Sequence, residues 1–126
     1  MPAPASLPAS HFVISRKQTT FVAKYLAMSY ERKIINDPVF GFINIPKGLL
    51  YDIVRHPLLQ RLTRIKQLGL SSVVYPGAQH TRFQHSLGAF YLMSETIQQL
   101  TAKGNFIFDS EAEAVQAAIL MHDIGH

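Results

Sequence analysis

Thr81-Arg82-Phe83-Gln84-His85-Ser86-Leu87-Gly88 is the stretch on which the fold turns. A Thr followed three residues later by Gln is a capping box, in which the hydroxyl and the amide each satisfy an orphan backbone N–H. It predicts a helix from 82 to about 101, carrying Phe83, Leu87, Phe90, Ile97 and Leu100 inward, with Gly104 past its end. Downstream, Ser110-Glu111-Ala112-Glu113 reads as a second capping box with acids at the positive helix end. Its helix, from 111 to about 124, puts Val115, Ala118, Ile119 and His122 on one stripe, and Gly125 closes it.

A connection of roughly eight residues favours antiparallel neighbours. At about 1.5 Å per residue, His85 lies roughly 20 Å back along the first helix and His122 roughly 17–18 Å up the second. Antiparallel packing therefore brings His85 level with His122-Asp123. Each residue alone has a bland reading: His122 as a core histidine or a complement to the helix dipole, His85 as a first-turn surface residue. Together they form a candidate metal site. Neutral imidazoles and a carboxylate suit a divalent ion such as Mn, Mg, Fe, Zn or Ni, and three protein ligands leave positions open for water and substrate.

Upstream of the first helix the pattern is mixed. Residues 33–45, with the Asp37-Pro38 turn signal and β-branched flanks, predict a small β-hairpin, with Pro46-Lys47-Gly48 as the exit turn. Leu49 to Val54 predicts a helical turn, and Pro57 opens a further helix whose stripe is Leu58, Leu62, Ile65 and Leu68, stopped by Gly69. Ser72 to Tyr75 reads as a brief extended piece before the Pro76-Gly77 turn. The expected class is mainly α with one β-hairpin.

Composition excludes several alternatives. The 126 residues include no cysteine, so there is no disulfide scaffold, thiolate metal site or cysteine nucleophile. No stretch approaches the roughly 18 apolar residues of a membrane span. Residues 1–82 hold eleven Lys and Arg against three acids, and residues 83–126 hold one base against five acids. A basic half suggests a polyanionic ligand, and dispersed bases without a K/R run favour a small phosphate compound over nucleic acid. Residues 1–30, rich in Pro, Ala and Ser at their start, read as a flexible tail or upstream extension, with Met28 as an alternative start of translation. With neither a secretory h-region nor a span, the expected location is cytoplasmic.

The series His85 … His122-Asp123-Ile124-Gly125-His126 resembles the HD-domain metal-dependent phosphohydrolases. Within them it is most similar to the deoxynucleoside-triphosphate triphosphohydrolase branch, the dGTPase and sterile-alpha-motif/HD type. The likeness is carried by Lys33-Ile34-Ile35-Asn36-Asp37-Pro38, by 60–69 (Gln60 to Gly69), by Tyr75-Pro76-Gly77-Ala78 and by Arg82-Phe83-Gln84-His85-Ser86-Leu87-Gly88. It spans residues 31–126, read as the N-terminal part of an HD domain.

The resemblance implies that His85, His122 and Asp123 are metal ligands, with a fourth ligand, an Asp, further along the family's chain. It implies that His126 is a catalytic proton donor beside the scissile phosphate. Arg82 would contact substrate phosphate, and Gln67 and Leu68 would line the sugar pocket. The implied reaction is release of triphosphate from a dNTP, with the present stretch inactive alone and exposing helix faces that later helices would cover. A homo-oligomer is compatible with it. Three positions depart from the pattern: Arg55 and Thr63 stand where nucleotide-activated members place an Asp and an Arg for guanine, and Phe40 replaces a usual His. The alternatives are an HD phosphohydrolase for a monophosphate, cyclic dinucleotide or alarmone, and a non-catalytic HD protein binding nucleotide or nucleic acid.

Overall fold

The structure, a computed structural model, describes residues 32–126. The expected tail and the Met28 start lie outside the described residues. The chain opens with β1 (Arg32–Asp37) and β2 (Gly41–Pro46), an antiparallel pair running from Arg32 opposite Pro46 to Asp37 opposite Gly41. The turn is built by Asp37, whose Oδ1 accepts the N–H groups of Val39 (2.8 Å) and Phe40 (3.0 Å). Gly41, at φ +73°, takes the left-handed conformation that returns the chain. Alternation then decides the faces: Ile43 and Ile45 are buried, while Phe42 points to solvent at 70% exposure.

Helix α1 (Leu49–Arg55) buries Leu50 and Val54, one turn apart. Helix α2 (Pro57–Arg61) starts with Pro57 at its first position, as expected, and His56 Nδ1 accepts the Leu58 N–H. The helix expected to continue to Leu68 does not. A 3₁₀ turn follows (Leu62–Arg64), and Ile65 is extended. The Ile65 carbonyl accepts the Arg82 N–H (2.8 Å), and the Gln67 N–H donates to the His80 carbonyl (3.0 Å). Residues 65–67 thus pair with 80–82, and this tertiary pairing overrides helix propensity. The predicted stripe is corrected with it: Leu59 and Leu62 are buried, while Leu58 and Leu68 are about half exposed.

The segment 72–75 is likewise not extended. Gly69–Val73 is a 3₁₀ helix closed by local bonds, and the Val74 and Tyr75 N–H groups fold back on the Ser71 carbonyl. With no strand beside them among the described residues, these backbone groups satisfy themselves locally.

Helix α3 (Arg82–Ala102) begins at the predicted capping box. Thr81 Oγ1 accepts the Gln84 N–H (3.3 Å), and Gln84 Oε1 accepts the Thr81 N–H (2.9 Å). Leu87 and Phe90 are buried, but Phe83 and Ile97 are half-buried and Leu100 is exposed. Helix α4 (Asp109–Met121) starts two residues before the expected position, because Glu111, not Glu113, reaches back to the Phe108 N–H (3.0 Å). Its buried face is also different. Ala117 and Leu120 are buried, whereas Val115, Ala118 and His122 are exposed and Ile119 is half-buried. The run Ala114-Val115-Gln116-Ala117-Ala118-Ile119-Leu120 is apolar around most of its circumference, so periodicity selects no face and packing decides.

The α3–α4 pair is antiparallel as expected: Ser94 meets Gln116 (2.9 Å) while His85 meets His122 (3.2 Å). The core joins β2, α1, α2, the first half of α3 and α4, with Phe90 and Leu120 at most 1% exposed. Leu58, Leu92 and Val115 remain exposed on the helices expected to show apolar faces. No helix among the described residues is long and apolar enough to cross a membrane.

Candidate metal centre

The capping box fixes where α3 begins, and so places Arg82 in its first position and His85 one turn on. One turn beyond His85, on the same face of the helix, the hairpin turn closes in. A Cβ on Gly88 would lie 2.7 Å from Phe40 Cε2, so only glycine allows the ring this close. Phe40 also packs on Tyr91, ring centroids 5.0 Å apart.

Helix α4 ends at Met121, and the turn after it delivers His122 and Asp123 to His85. The two imidazoles meet edge on, with centroids 5.1 Å apart and Nε2 to Nε2 at 3.2 Å. Asp123 Oδ1 lies 3.7 Å from His122 Nε2 and 3.7 Å from His126 Nε2, and Oδ2 accepts from Arg82 Nη1 at 2.9 Å. Ligand atoms of His85, His122 and Asp123 all fall within 4.8 Å of one another. The structure therefore brings together His85, His122, Asp123, His126 and Arg82. Gln67 and Leu68 sit apart, on the segment paired beside Arg82; Gln67 is held there by its backbone bond to His80, and Leu68 is half exposed.

Burial distinguishes the members. Asp123 is 8% exposed, whereas the His126 side chain is 59% exposed. Burial pushes the Asp123 carboxyl up, but the Arg82 hydrogen bond and the charges of His122, Arg82 and His126 outweigh it and hold it below the usual carboxylate range. It is therefore an anion at neutral pH.

The donor set fits a divalent cation. His122 Nδ1 lies 2.6 Å from the Ile119 carbonyl, which can only accept, so Nδ1 carries a proton, and the neutral form of the ring has its lone pair on Nε2. A backbone carbonyl orienting a ligand imidazole in this way is the usual outer shell of a histidine metal site. That lone pair faces His85 Nε2 and the Asp123 carboxylate, an arrangement of donors that a cation between them would satisfy.

Two features were not evident from sequence. An open cavity of about 390 Å³ lies beside His85, walled by Pro38, Phe40, Gly88 and Leu92 with His80 and Gln84 at its polar edge. Its walls come from segments some fifty residues apart, which no local pattern joins. The Ile119 carbonyl is a backbone group, and only its position three residues before His122 could have suggested it.

No family model matches the chain. It is 46% identical over 96 residues to the deoxynucleoside triphosphate triphosphohydrolase SAMHD1 of Bos taurus, covering 75% of this chain and 16% of that protein. It is 38% identical over 96 residues to protein YwfO of Bacillus subtilis, covering 76% of this chain and 22% of that one. Among solved structures, a phosphohydrolase of Bacteroides thetaiotaomicron is similar with a TM-score of 0.75 and 95% identity, covering 76% of this chain and 24% of that one. The chain thus spans about a quarter or less of the length of these relatives. Over some three quarters of its own length it is phosphohydrolase-like.

Proposed function

We propose, from this phosphohydrolase-like relationship, that the chain carries the metal-binding part of an HD-type, metal-dependent phosphohydrolase acting on nucleotides, with dNTPs as substrates and triphosphate as product. The observation that carries the reading is the His85–His122–Asp123 cluster, with the His122 tautomer set by the Ile119 carbonyl. When bound, a divalent cation supplies charge neutralisation at the phosphoryl oxygens and a more acidic water. His85, His122 and Asp123 are its ligands, and the resemblance adds an Asp further along the family's chain.

The other residues have separate tasks. Arg82 spends one donor on Asp123, and its guanidinium carries further N–H groups for a phosphate oxygen. His126, exposed and 3.7 Å from Asp123 Oδ1, delivers a proton to the leaving oxygen. Gln67 and Leu68 line the sugar site; Gln67 Oε1 is buried without a hydrogen-bond partner, an acceptor left unsatisfied at that position. Guanine-nucleotide activation is not part of the reading. Arg55 lies over the Tyr51 ring at 5.4 Å, and Thr63 Oγ1 donates to the Gln60 carbonyl at 2.7 Å, so neither reproduces the Asp and Arg of activated members. A cytoplasmic location and a homo-oligomer belong to the same proposal.

The test incubates the full-length protein with each dNTP and Mn²⁺ or Mg²⁺ and measures inorganic triphosphate. Release from at least one dNTP is expected. Metal bound with no release from any nucleotide would overturn the reading.

A further inference from the structure

Arg61, in the Gln60-Arg61-Leu62 motif, has no role in the site as described so far. It ends α2 between Leu59 and Leu62, both 0% exposed, so the core fixes where its side chain starts. The main chain around it is tied as well: Gln60 Nε2 donates to the Val54 carbonyl (2.7 Å) and Thr63 Oγ1 to the Gln60 carbonyl (2.7 Å). From this fixed base the guanidinium crosses to the far end of the sequence. Its Nη2 donates to the Ile124 carbonyl (3.2 Å) and to the His126 carbonyl. These carbonyls belong to the turn after α4, whose own bonds run from Ile124 N–H to Met121 and from His126 N–H to Asp123.

Main-chain oxygens in the turn beyond a helix have no helical donors of their own, and a planar guanidinium can serve two of them at once. Asp123 and His126 both ride on this turn. We propose that Arg61 is a positioning residue: by holding the Ile124 and His126 carbonyls it fixes the turn 122–126, and so sets how Asp123 and His126 face His85 and His122. It works through the main chain and touches neither substrate nor cation. Arg82 holds the same turn from the other side, through the Asp123 side chain. The consequence for metal affinity rests on the function proposed above; the geometry of the turn does not.

The test compares full-length wild type with Arg61→Gln, Arg61→Lys and, as a charge control, Arg64→Gln. In metal-free protein, the amides of 123–126 should shift and exchange at least about tenfold faster in Arg61→Gln, less so in Arg61→Lys, and not in Arg64→Gln, while amides elsewhere keep their positions. With Co²⁺ as probe, the Kd should rise about 10–100-fold in Arg61→Gln, the range for removing an outer-shell partner. Unchanged amides at 123–126 in Arg61→Gln overturn the proposal. Should that variant fail to fold, a turn in Arg61→Lys as ordered as in wild type overturns it too. If wild type takes up no Co²⁺, the metal function fails while the amide result still decides the role of Arg61.

Discussion

Arg82 and Asp123, forty-one residues apart in sequence, meet at 2.9 Å and lock the first turn of α3 to the turn that ends α4. The pair is mostly buried, with side chains 19% and 11% exposed. Arg82→Ala leaves the Asp123 carboxylate without its guanidinium and should lower unfolding free energy by about 1–3 kcal/mol in urea titration of metal-free protein. Because the folded-state pKa of Asp123 is lowered, the stabilisation is present above the unfolded carboxylate value of about 3.9 and lost as pH falls through the folded one. The gap between wild type and Arg82→Ala should therefore close in acid. A gap independent of pH would contradict the pairing.

His85 and His122 are exposed, so His85→Ala and His122→Ala should change metal-free stability by no more than about 0.5 kcal/mol. A divalent cation at 100 times its Kd should stabilise wild type by about 2.7 kcal/mol and neither variant. Thermal melts with and without Mn²⁺ measure both. Equal stabilisation of all three proteins would place the ion elsewhere.

Gly88→Ala should destabilise by about 1–3 kcal/mol, since its Cβ would fall 2.7 Å from a Phe40 ring already packed on Tyr91. In a Phe40→Ala background the sign should reverse, because alanine is the better helix former by about 0.8–1 kcal/mol. A double-mutant cycle reads the coupling directly.

Thr81→Ala should cost about 1 kcal/mol through loss of the α3 cap. Ser110→Ala should stay within about 0.5 kcal/mol, because Ser110 lies inside α4 rather than at its cap. Chemical denaturation of the two variants separates the observed helix start from the one sequence suggested.

Local signals with a single physical answer were readable in the sequence. Thr81 and Gln84 start α3, Asp37 marks the hairpin turn, and antiparallel helices bring His85 to His122 and Asp123. What depended on partners was not. Leu68 looked like a core residue until Ile65 and Gln67 paired with Arg82 and His80, and half its surface is exposed. An almost uniformly apolar run selects no face for α4, and periodicity puts His122 on the buried stripe whereas Asp123 is the buried member. Arg61 was visible in its motif, but the carbonyls it holds lie more than sixty residues away and carry no side-chain signature.

The central claim is that His85, His122 and Asp123 together hold one divalent cation. Anomalous diffraction from crystals of the full-length protein grown with Mn²⁺ tests it most directly. The account predicts one strong peak within about 2.5 Å of both Nε2 atoms and of an Asp123 carboxylate oxygen, absent in Asp123→Asn. A well-ordered cluster with no peak there, or a peak unaffected by that substitution, would contradict it.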